Sequence, residues 1–134
     1  MNQALADALR WQRYAEEDLA QADHIVGQTD FTPRHAAWLA QQAVEKAIKA
    51  ILVAESIRPP RTHDLELLWT LIPAHRPVKQ VEVDLPRLSE YSVDARYPGD
   101  WPDITAEEAE AAVEDAKRVV AAVQADLDAS ATSI

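Results

Sequence analysis

The segment Arg58-Pro-Pro-Arg61-Thr-His63-Asp64 brings two arginines and a histidine together on a stretch stiffened by two prolines. Guanidinium forks suit phosphate oxygens. Imidazole moves protons near neutral pH. A helix starting just after His63 would offer free backbone N–H groups to an anion. The chemistry these residues support is phosphate handling, with His63 as the candidate catalytic acid–base and Arg58 and Arg61 as phosphate ligands. A structural alternative stands beside it. Pro-Pro makes a rigid connection, Thr62 or Asp64 caps the helix, and His63 packs beside the cap.

A second group is Tyr91, Arg96 and Tyr97, ahead of Pro98. Arg96 and Tyr97 are candidate nucleotide or phosphate ligands. Alternatively, Arg96 complements the last turn of a helix while the tyrosines fill a helix–helix seam. The aromatic set Trp11, Tyr14, Trp38, Trp69 and Trp101, with four tryptophans, forms the third group. Trp38 and Trp69 fall at core-compatible helical positions. Trp11 and Trp101 read as more exposed and are candidate interface residues, because large exposed aromatics anchor interfaces. No metal site is expected: His24, His35, His63 and His75 lie far apart without H-x-x-x-H or E-x-x-H spacing, and cysteine is absent. No G-x-S-x-G elbow occurs. No cofactor is implied.

Helices must position these residues. Ala36, Leu39, Ala40, Ala43, Val44, Ala47, Ile48, Ile51 and Leu52 repeat with helical period. Thr32 is a natural N-cap with Pro33 at the first helical position, and Arg58-Pro59-Pro60 must end the helix. A first helix spans roughly 3–26, with Leu5, Ala8, Leu9, Ala15, Leu19, Ala22 and Val26 inward. A last one follows the Thr105–Glu108 capping box, with a stripe of Ala109, Ala112, Val113, Ala116, Val119, Val120, Val123 and Leu127. Shorter helices are expected over 64–75 and 85–95, a type II turn at 97–100 and an extended loop over 78–84. The fold class is all-α: an antiparallel up-and-down bundle of about five helices, three long and two short, in one domain over 1–134.

Composition agrees. The 134 residues include 48% hydrophobic and 27% charged, with two glycines. That suits a globular domain and disfavours a Gly-rich phosphate loop or a Rossmann fingerprint. No apolar run approaches the roughly 20 residues of a membrane span, and the N-terminal sequence lacks a signal-peptide core, so a cytoplasmic location is expected. The net charge is −10, which opposes tight non-specific binding to nucleic acid. The charge is uneven. Residues 103–134 carry eight acids against Lys117 and Arg118, whereas 27–61 carry five bases against three acids. A focused basic site on an acidic protein is therefore available.

The blocks AVEKAIKAILVAE (43–55), RPPRTHDLELL (58–68), YSVDARYPGD (91–100) and T-x-E-E-A (105–109), in this order and spacing, resemble the HEPN domain. The resemblance implies a bundle of about five helices that dimerises. It also implies partnership with a minimal nucleotidyltransferase, often as a toxin–antitoxin pair. Active members of the family are metal-independent RNases whose signature is an arginine followed four to six residues later by histidine near the start of a late helix. Here no histidine follows Arg96; the last is His75. Arg58 and His63 match the spacing across two prolines, and Arg61 with His63 is the tighter local pair. The leading expectation is a dimeric module binding nucleotide, RNA or the nucleotidyltransferase. The alternatives are a divergent RNase using His63 with Arg58, Arg61 or Arg96, and a purely structural interaction bundle. A further role for Tyr91 or Tyr97 is as acceptor of a nucleotidyl group from the partner enzyme.

Overall fold

The computed structural model describes residues 2–92 and 102–132. Five α-helices occur among them: α1 (Gln3–Val26), α2 (Pro33–Ala54), α3 (Leu65–Thr70), α4 (Leu85–Ser89) and α5 (Ala106–Thr132). No strand is present among the described residues. The three long helices form the body, and α3 and α4 pack together beside α2.

The central element is α2. Its buried side chains run nearly all round: Ala36, Ala37, Leu39, Ala40, Ala43, Val44, Ala47, Ile48, Ala50, Ile51 and Leu52. Six of these are alanines, so α1 and α5 approach closely and bury Ala8, Ala15, Ala22, Ala109, Ala112 and Ala116 against the same core. The turn over 27–32 is short and makes α1 run antiparallel to α2. Their facing polar edges meet at Lys46 and Asp18.

The helix ends follow local chemistry. Asn2 caps α1 by accepting from the Leu5 N–H at 2.7 Å. At α5 the Thr105 hydroxyl accepts from the Glu108 N–H at 3.1 Å, and Glu108 accepts from the Thr105 N–H at 3.2 Å, a closed capping box. Thr32 does occupy the N-cap of α2, but its side chain makes no capping hydrogen bond.

Several expectations are corrected. α2 stops at Ala54, before the prolines. Ser56 takes φ 59°, and the Ser56 and Ile57 N–H groups bond the Val53 and Leu52 carbonyls at 2.9 and 2.8 Å. This closing motif usually carries glycine at the left-handed position. α3 is six residues long rather than spanning 64–75; Pro73 disfavours helix in Ile72 before it. The stretch 78–84 begins as a 3₁₀ turn over Pro77–Gln80 and is extended only afterwards. α4 ends at Ser89, with turns through Ser92. The remainder of the expected 85–95 helix and the 97–100 turn lie outside the described residues. On α1, Leu9, Leu19 and Val26 are half-buried rather than interior, and Gln12 is buried instead.

Candidate functional site

The α2 sequence places Gln41, Glu45 and Lys49 at i, i+4 and i+8, one polar line on an otherwise apolar helix. The line faces the returning chain after the prolines. Glu45, 5% exposed, receives the Lys49 ammonium on Oε2 at 2.9 Å and the Gln41 amide on Oε1 at 3.1 Å. His63 Nδ1 lies 2.8 Å from the same Oε1. Gln41 also reaches the His63 carbonyl at 3.5 Å, and Gln42 donates to Gln41 at 2.7 Å. A histidine after a rigid loop is thus tied to the central helix at both its ring and its backbone.

Burial raises the Glu45 carboxyl, but the hydrogen bonds from His63, Lys49 and Gln41, with the Lys49 charge, outweigh it and hold the group below its ordinary value. Glu45 is therefore ionised at neutral pH and can only accept, so His63 Nδ1 carries the proton. In a neutral ring that makes Nε2 the basic nitrogen. The His63 side chain keeps 45% of its surface exposed.

The loop before it is built for display. Pro59 and Pro60 are half-buried, and Arg58 and Arg61 are exposed. Neither arginine makes an ion pair or side-chain hydrogen bond with any described residue. Lys46, Lys49, Arg76, Lys117 and Arg118 are ion-paired, whereas Arg10, Arg13 and Arg34, like Arg58 and Arg61, form no ion pair with a described residue. Asp64 caps α3 by accepting from the Leu67 N–H at 3.2 Å, and Thr62 accepts from the Asp64 N–H at 3.1 Å. The capping half of the structural expectation is met. His63, however, is held by Glu45 and not by the cap.

The other candidates fall out as follows. Arg96, Tyr97 and Trp101 lie outside the described residues. Tyr91 is buried, 4% exposed, with its hydroxyl 3.3 Å from Arg87 Nε. Trp11 is half-buried against the core rather than exposed, and the Lys49 ammonium sits 5.9 Å from its ring centre. Trp38 and Trp69 are half-buried against the core, Trp38 stacked on His35 at 5.9 Å. Among the described residues no three His, Asp or Glu side chains gather as a metal site would require. No helix among them is long and apolar enough to cross a membrane.

The HEPN domain model matches residues 8–126. This chain belongs to the HEPN domain family. TT1696 from Thermus thermophilus shares 27% identity with this HEPN protein and superposes with a TM-score of 0.73, over 89% of this chain and 97% of that one. ST0689, an archaeal HEPN homologue, shares 25% identity with a TM-score of 0.69, over 90% and 97%. No curated protein matches. The resemblance seen in the sequence blocks is thus borne out for family and for fold.

Gln41, Glu45 and Lys49 are the site residues that sequence reading missed. Their signal was available: three polar residues four apart inside the most apolar helix of the chain, where burial demands partners.

Proposed function

We propose that this HEPN protein is a dimeric binding module for the phosphate of a nucleotide or RNA, acting beside a partner minimal nucleotidyltransferase in a toxin–antitoxin-type pair. The supporting observation is the 58–63 loop. Two exposed arginines without acidic partners among the described residues precede a histidine fixed by a buried carboxylate 2.8 Å away. On a chain of net charge −10, arginines left unneutralised in one place form a local anion site. Dimerisation that juxtaposes two such loops would double that charge.

The test is binding of a labelled single-stranded oligonucleotide. The double variant Arg58→Ala/Arg61→Ala should weaken binding about tenfold or more and make it less salt-sensitive, because fewer counterions are displaced. Unchanged affinity in that variant would remove the loop from the site. Co-expression with a minimal nucleotidyltransferase should recover a stable complex; failure to do so counts against the partnership alone.

The Glu45–His63 hydrogen bond favours a second reading, a metal-independent endoribonuclease with His63 as general acid–base. A carboxylate that fixes the tautomer and orientation of an imidazole is the usual support for such a group. Cleavage would then leave a 2′,3′-cyclic phosphate, persist in EDTA and fall by about 10²–10⁴-fold in His63→Ala. An equal rate in that variant would dismiss His63 as the catalyst.

A further inference from the structure

A second pair of arginines lies on α1, beside the site just described. Arg10 and Arg13 are exposed and form no ion pair with any described residue. Between and beside them, one turn apart on the same helix, are Trp11 and Tyr14. Tyr14 is 43% exposed with the Arg13 guanidinium 5.7 Å from its ring centre. Asp7, Arg10, Trp11 and Tyr14, on successive turns of α1, line an open groove of about 360 Å³. The acid among these lining residues, Asp7, already accepts a hydrogen bond from Gln3 at 2.8 Å.

Side-chain contacts through Lys49 link this groove to the 58–63 site. Lys49 sits against the Trp11 ring on one side and the Glu45 carboxylate on the other, and Glu45 holds His63. The largely buried Lys49–Glu45 ion pair thus stands between the α1 aromatics and the loop. We propose that the α1 groove is a base-stacking subsite for a nucleotide or single-stranded RNA, with Trp11 and Tyr14 as the platform and Arg10 and Arg13 as phosphate ligands. This rests on the phosphate-binding reading of the 58–63 loop and extends it to the base. Stacking on aromatic faces flanked by cations is how single strands are held without sequence preference.

The experiment measures binding of a fluorescent decauridylate, of AMP and of inorganic pyrophosphate to the full chain, with oligomeric state followed by light scattering. Tyr14→Ala, at an exposed position, keeps the test valid even if Trp11→Ala folds poorly. Each variant should weaken decauridylate binding about tenfold, as loss of one stacked base does. Trp11→Phe should retain most of the affinity, and pyrophosphate binding should not change. Weaker AMP binding in the same variants identifies a mononucleotide as sufficient ligand; loss confined to decauridylate identifies a strand. Both support the subsite. Unaltered decauridylate affinity in both alanine variants overturns it, and so does conversion of a dimer to monomers, which would place the groove between copies. If Arg58→Ala/Arg61→Ala loses binding while the α1 variants do not, only this inference falls. If the unaltered protein binds none of the probes, the loop reading falls with it.

Discussion

Glu45 shows how one buried charge can organise a surface. Removing a carboxylate from water is unfavourable unless its lone pairs are filled. Here Lys49, Gln41 and His63 fill them from two directions, the helix itself and the incoming loop. The balance leaves the folded-state carboxyl below its ordinary value of 4.5. A depressed carboxylate contributes stability that is fully present above the unfolded value and is lost as pH falls through the folded one. Glu45→Gln should therefore lower stability at pH 7 by about 1–3 kcal/mol, in line with hydrogen bonds to charged groups. It should also flatten the fall in melting temperature below about pH 4.5. Thermal melts of both proteins between pH 3 and 7 check this. Parallel curves across that range would show that Glu45 does not titrate with folding.

At the scale of elements, the sequence was most legible where a single period or a local motif decides the outcome. The stripe of α5 and its capping box need only neighbours in sequence, and both are present. It was least legible where burial or a competing turn decides. Ser56 ends α2 in a left-handed conformation, five residues before Arg61, through backbone bonds that no composition rule reads from a serine. Gln12 breaks the apolar stripe of α1, yet it is 1% exposed because its amide donates to the Val120 carbonyl at 2.9 Å on α5. That partner is distant in sequence, so nothing along the chain marks Gln12 as buried. The site divides in the same way. His63, Arg58 and Arg61 stood out because they cluster along the chain. Glu45, four positions from each of its helical partners and 18 from His63, required the fold to bring it there.

The whole molecule is fastened by a second buried charge cluster, at the far end of α2 from its N-cap. Arg76, 8% exposed, sends Nε to Glu55 at 2.7 Å and Nη1 to Asp126 at 2.7 Å and Ser130 at 2.6 Å. Asp126, 2% exposed, also accepts the Val78 N–H at 3.0 Å. One guanidinium thus joins the end of α2, the 3₁₀ turn and the end of α5. Burial lowers the Arg76 value, but the bonds to Asp126 and Glu55 outweigh it and raise the net value. Stability from a raised cation is present throughout the range below its unfolded value, so the Arg76 contribution stays constant between pH 6 and 9. Arg76→Ala should cost about 3–5 kcal/mol, since it strands Asp126 without its cation. For a chain of this size that lowers the melting temperature by roughly 10 °C or more. Asp126→Ala should cost a similar amount, and the double variant much less than the two together, because the charge left behind in each single variant is then gone. Equilibrium denaturation of the four proteins measures the coupling directly. Additive losses, or a single-variant loss under about 1 kcal/mol, would mean that apolar packing of α2 on α5 holds this end of the bundle without the arginine.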